Sequence, residues 1–118
     1  MAKHNEIGET GERLASDFLI ARDYQILERN WRYSRAEIDI IAKKEDILIF
    51  VEVKTRSSIQ FGKPEEFISK QKEKLILDAA YEYMKQTDYA WEIRFDFISI
   101  LYNPEGQSKI EHFEDAFH

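Results

Sequence analysis

The chain has 118 residues, 43% of them hydrophobic and 14% aromatic, which fits one folded domain and excludes both a disordered chain and a two-domain protein. It contains no cysteine, which excludes disulfides, thiolate zinc sites and cysteine nucleophiles and is compatible with a reducing compartment without requiring one; a cytoplasmic location is the expectation. A net charge of −6 argues against a general polyanion binder, although eleven Lys/Arg stand against eight Asp/Glu between Arg29 and Lys74 and six against fifteen elsewhere, leaving the middle of the chain mildly basic.

The opening "MAKHNEIGETGE" has no apolar core, so no secretory leader is expected, and no apolar run approaches the roughly 18 residues of a membrane helix. A first helix is expected from Asn5 to Arg22, where Ile7, Gly11, Leu14, Ala15, Phe18 and Leu19 form one stripe at about 100° per residue. Glu12 falls at the border of that stripe. Three strands are expected next, in "YQILERNW", "RAEIDIIA" and "DILIFVEVKTR". The polar "KKED" between the last two predicts a hairpin. Gly62 and Pro64 punctuate a loop, and a second helix is expected from Glu65 to Lys85, its apolar face carrying Phe67, Ile68, Leu75, Ile76, Ala79 and Tyr83. "WEIRFDFISILY" reads as a fourth strand with Ile93, Phe95, Phe97 and Ser99 on one side, and the tail "KIEHFEDAFH" is ambiguous. The order α-β-β-β-α-β predicts a single mixed α/β (α+β) domain over residues 1–118, with the helices covering the sheet.

Charges stand where these strands should be buried, and burying a charge costs several kcal/mol unless it is paired or bound. Alternation puts Glu37, Asp39 and Ile41 on one face of the second strand, opposite Ile38 and Ile40. On the third, Leu48, Phe50, Glu52 and Lys54 share a face. In a hairpin, Asp39 and Glu52 project together with Lys54 beside them. Two adjacent carboxylates repel, and a divalent cation that prefers oxygen ligands, Mg²⁺ or Mn²⁺, relieves the repulsion. A lysine there can activate a water or stabilise charge on a phosphoryl oxygen. The structural alternative is a cross-strand salt bridge from Asp39 or Glu52 to Lys54. For Glu37, which could supplement Asp39, a salt bridge to Arg35 or Lys54 is expected. Arg32, Arg35 and Arg56 are candidate phosphate contacts, and Trp31 a stacking surface for a base, against the readings of solvated charge and core aromatic. His4, His112 and His118 lack metal-ligand spacing and are expected at the surface.

A helix glutamate, a strand aspartate and Glu-x-Lys on the next strand resemble the PD-(D/E)xK, or restriction-endonuclease-like, nuclease superfamily. More specifically, "GETGERLASDFL", "NWRYSRAEIDIIA", "FVEVKTR", "FGKPEEFISKQKEKL" and "RFDFISI", in that order, resemble the YraN-like family of small bacterial proteins. The resemblance implies a central mixed sheet flanked by helices, with a metal where the Asp and Glu strands part. It makes Asp39, Glu52 and the Val53 carbonyl the metal ligands, Lys54 the residue beside the attacking water, and Glu12 an additional acid. Gln71, projected into the apolar stripe between Phe67 and Leu75, matches the helix glutamine that some of these nucleases carry after Glu-x-Lys. Two positions depart from the pattern: no proline precedes Asp39, and Ala36 stands where the family has glycine.

The resulting expectation is a Mg²⁺- or Mn²⁺-dependent nuclease that hydrolyses phosphodiester bonds in DNA, including branched or structured DNA, with RNA as the other nucleic acid of the same chemistry. Its small footprint makes a homodimer attractive, and no membrane association is expected. The alternatives are a non-catalytic nucleic-acid-binding module on the same scaffold and a protein-interaction adaptor with an acidic surface.

Overall fold

Two helices and five strands follow one another as α1 (Ala2–Ile20), β1 (Gln25–Tyr33), β2 (Ala36–Lys44), β3 (Ile47–Arg56), α2 (Lys70–Gln86), β4 (Ile93–Leu101) and β5 (Lys109–Phe113). The computed structural model describes residues 2–57 and 68–117, and the side chains of 7–57 and 68–117. The expected loop at Gly62 and Pro64, the expected helical start at Glu65 and Phe67, and the side chains of His4 and His118 lie outside the described residues.

The strands form one sheet in the order β1-β2-β3-β4-β5. β1, β2 and β3 run antiparallel through two-residue turns at Ser34-Arg35 and Glu45-Asp46. Ser34 and Glu45, with φ of 58° and 55°, take the left-handed conformation that suits tight hairpins. β3 and β4 are parallel, and the chain between them contains α2, as a parallel connection requires a crossover. The first six elements are those the sequence predicts. The ambiguous tail adds a seventh, β5, antiparallel to the outer edge of β4. α2 begins at Lys70, because Ser69 is extended (φ −75°, ψ 162°) and its Oγ accepts the Lys72 N–H at 3.1 Å, an N-cap.

Alternation along β3 sorts the core into two layers. Leu48 and Phe50 join Ile76, Ala79, Ala80 and Tyr83 of α2, whereas Ile49, Val51 and Val53 join Ala15 and Leu19 of α1. Each fully buried aliphatic or Phe side chain stabilises the fold by about 1.5–3 kcal/mol. α1 lies especially close to β3 at Gly11, where a Cβ would come within 2.7 Å of Thr55 Cβ. That approach requires glycine, and it sets Glu12 beside the far end of β3.

Two expectations are corrected here. Ile38 and Ile40 do not share a face: Ile38 packs in the α2 layer and Ile40 in the α1 layer. The alternation slips at Asp39, opposite Asn30, whose φ of 52° breaks the extended run of β1 between the Arg29↔Ile40 and Trp31↔Ile38 pairs. His112 is not a surface residue. β5 brings it opposite Ile98, its side chain is 9% exposed, and its ring meets those of Phe18 and Tyr24 edge-on. Its Nε2 lies 2.7 Å from Oδ2 of the fully buried Asp96. Asp96 also accepts two 2.8 Å hydrogen bonds from Arg94 and one of 3.0 Å from the Asp115 amide. This saturated network fastens β5 to β4.

Candidate metal centre

β2 and β3 are paired from Lys44↔Ile47 up to Ile40↔Val51, and there the ladder ends. Beyond it, β2 continues against β1, and β3 continues against β4. Asp39 and Glu52 are the first residues past the divergence. Asp39 spans the gap, its Oδ2 accepting the Val53 N–H at 2.8 Å. Glu52 is 4% exposed, on the α2 side of β3. Its carboxylate forms an ion pair with the Lys72 ammonium from the first turn of α2.

These groups line a cleft of about 310 Å³ bounded by Arg35, Ala36, Glu37, Asp39, Glu52, Lys72, Leu75 and Ile76. The cleft adjoins a second hollow of about 440 Å³ that shares Ala36 and Leu75 and is flanked by Tyr33 and Tyr81, 40% and 52% exposed. The electrostatics record crowded negative charge. Burial pushes the Asp39 carboxyl up to about 8, with the Glu52 and Glu12 carboxylates acting in the same direction and the Val53 N–H opposing them. Glu12, half-buried on α1, is also raised, first by burial and then by Glu37, Glu52 and Glu9, while a hydrogen bond from Asn30 lowers it.

The expected residues distribute unevenly around this cleft. Asp39 and Glu52 are together, with Glu12 near enough to feel both. Val53 contributes its amide to Asp39. Lys54 is exposed on the same face of β3 as Glu52. Glu37 lines the cleft, but its ion pair is with Arg32 at 3.8 Å rather than with Arg35 or Lys54. Arg32 is otherwise exposed, and Arg35 sits at the cleft. Arg56 is half-buried at the end of β3, with its Nε and Nη1 buried. Trp31 packs edge-on against Tyr83, with centroids 5.1 Å apart, as a core aromatic. Gln71, projected into the buried stripe, is exposed. Lys72 is the residue of that turn that reaches the site. The spacing carries the signal: Lys72, Ile76, Ala79, Ala80 and Tyr83 fall at i, i+4, i+7, i+8 and i+11, one helix face.

Among the described residues, no three His, Cys, Asp or Glu side chains converge into a ready-made cation cage. The donor set nevertheless suits a hard divalent ion, since it consists of two adjacent carboxylates at the end of a strand gap, one of them raised by burial and then by the other's charge. Within the protein, the Glu52 carboxylate is balanced by the Lys72 ammonium.

The model of the uncharacterised protein family UPF0102 matches residues 11–100. The chain is 52% identical to a UPF0102 protein of Flavobacterium psychrophilum over 118 residues, covering all of this chain and 98% of the relative. It is 46% identical to one of Christiangramia forsetii, covering 99% and 98%. It is 42% identical to one of Bacteroides thetaiotaomicron, covering 100% and 97%.

Proposed function

The chain belongs to the uncharacterised protein family UPF0102, the YraN-like family, and from its acidic cleft we propose that it is a metal-dependent nuclease acting on DNA. The observation that carries the reading is the meeting of Asp39 with the buried Glu52 where β2 and β3 part, on the wall of an open cleft. A purely structural pair of acids is usually neutralised within the core. These two face a cleft, where burial and then the Glu52 carboxylate disfavour the ionised form of Asp39.

In this reading, Asp39, Glu52 and the Val53 carbonyl hold Mg²⁺ or Mn²⁺, which supplies Lewis-acid stabilisation of phosphoryl charge when bound. Glu12 adds a further carboxylate from α1. Lys54, two residues beyond Glu52 on the same strand face, stands to orient the attacking water or to stabilise the attacked phosphate. Arg35 offers a bidentate phosphate contact at the cleft. Tyr33 and Tyr81 offer stacking surfaces in the adjoining hollow. The link from this constellation to nuclease chemistry is an analogy of fold and motif.

The test is incubation of the purified protein with branched, single-stranded and duplex DNA in Mg²⁺ or Mn²⁺. Cleavage is expected, reduced at least about a hundredfold in Asp39→Ala and Glu52→Ala. Undiminished cleavage by Glu52→Ala rules this site out. One observation favours a second reading, a nucleic-acid-binding module without catalysis: Glu52 already has a counter-ion in Lys72. Binding of the same DNAs without cleavage in any divalent metal selects that reading.

A further inference from the structure

We propose that Lys72 is a positioning residue that stands in for the divalent cation: its ammonium holds Glu52 in the metal-free protein, is displaced when the metal takes Glu52, and is then presented to the substrate phosphate at the cleft. The inference rests on the metal-dependent reading of the site and adds to it a residue from outside the Asp and Glu-x-Lys strands.

The two partners of this ion pair are unequal. The Glu52 side chain is 5% exposed and fixed in β3, which is paired to β4 on its other side, whereas the Lys72 side chain is 42% exposed. The Lys72 backbone is pinned, its N–H bound to the Ser69 cap. A lysine so placed moves its four-carbon stem and not its helix. The mobile partner is therefore the ammonium, and the site it would vacate is a buried carboxylate beside Asp39. An ammonium and a divalent ion cannot both sit on one carboxylate without mutual repulsion in a partly desolvated cleft. A buried carboxylate left without either would in turn be costly. Exchange of one cation for the other satisfies Glu52 in both states. It also leaves a positive charge at the cleft wall once the metal is in place, where it would favour the phosphate of an incoming strand.

Calorimetric titration of Mn²⁺ into the full-length wild type, Lys72→Met and Lys72→Arg tests this. Methionine keeps the apolar stem and removes the competing charge, so Lys72→Met should bind Mn²⁺ about tenfold more tightly than wild type. Lys72→Arg should stay close to wild type. Binding of a fluorescein-labelled duplex oligonucleotide in saturating Ca²⁺ should weaken in Lys72→Met; opposite shifts in the two affinities are not produced by a merely structural lysine. Independently of any variant, the Lys72 Nζ resonance of the wild type should shift from its ion-paired position on addition of Mg²⁺. Mn²⁺ binding that is equal or weaker in folded Lys72→Met, or an Nζ resonance unmoved by saturating Mg²⁺, overturns this proposal alone. No Mn²⁺ binding by any of the three proteins overturns it together with the metal-dependent reading.

Discussion

Asp39 bridges the divergence of β2 and β3 by accepting the Val53 N–H at 2.8 Å, so one carboxylate both closes the sheet locally and stands in the cleft. Asparagine keeps an acceptor for that bond and removes the charge. In the wild type, burial and then Glu52 raise the Asp39 carboxyl from 3.8 to about 8. The folded state thus holds a proton that the unfolded chain releases near pH 3.8. The stability this gives is full below that value and is lost as pH rises toward about 8. Asp39→Asn is exempt from the loss. Its melting temperature should match wild type near pH 4 and exceed it by a margin that widens as pH rises toward about 8. Thermal melts across that range check this, and a variant that melts lower than wild type at the upper end contradicts it.

A second prediction concerns ligand-linked stability. If Asp39 and Glu52 hold a divalent ion, Mn²⁺ binds the native state and not the unfolded one. The gain is about 2.7 kcal/mol at a hundredfold excess over Kd. Wild type should show a melting temperature that climbs with the logarithm of Mn²⁺ concentration. Asp39→Ala and Glu52→Ala should show a flat response. Differential scanning fluorimetry in Mn²⁺, with Na⁺ at matched ionic strength as control, distinguishes binding from screening.

The first four strands and the two helices were legible because alternation and helical periodicity are local signals; the meeting of Asp39 with Glu52 follows from the β2–β3 hairpin rather than from alternation, which slips at Asp39. β5 was not, since five residues of "KIEHF" carry too little alternation and form a strand only by pairing with the edge of β4. The phase slip at Asp39 was hidden for a related reason: it depends on Asn30, a residue on another strand in a left-handed conformation. Lys72 also maps near the predicted stripe, where it reads as a snorkelling stem; a stripe anchored on Phe67 favours Gln71, whereas one anchored on Ile76 and Tyr83 selects Lys72. The inward turn of His112 required knowing that Asp96 is buried beneath it.

Gly11→Ala should test how α1 sets Glu12 against the sheet. The added methyl overlaps the Thr55 side chain, and Thr55 is anchored in β3 opposite Ile100. Relief requires α1 to move outward, at a cost of about 1–3 kcal/mol for overpacking. The urea midpoint should fall accordingly with an unchanged slope. Gly8→Ala, with open space at its Cβ, is the matched control and should be neutral or slightly stabilising.

Asp96 provides the opposite pH signature to Asp39 from the other side of the sheet. Burial alone would raise its carboxyl, but hydrogen bonds from His112, Arg94 and the Asp115 amide, with the Arg94 charge, hold it below the usual 3.8. A depressed folded value contributes stability that is present above pH 3.8 and lost as pH falls through the folded value. Asp96→Asn removes that contribution, so its stability should no longer fall with acid in this window as wild type does. Asp96→Ala also leaves the Arg94 guanidinium, 20% exposed, without its bidentate partner. Breaking a buried pair on one side costs about 3–5 kcal/mol, which for a domain of this size lowers the melting temperature by more than 10 °C or so. Because β5 is fastened through the same carboxylate, its amides should lose hydrogen-exchange protection first, ahead of those of β2 and β3. Uniform loss across the sheet would show instead that the network supports the whole fold rather than its last strand.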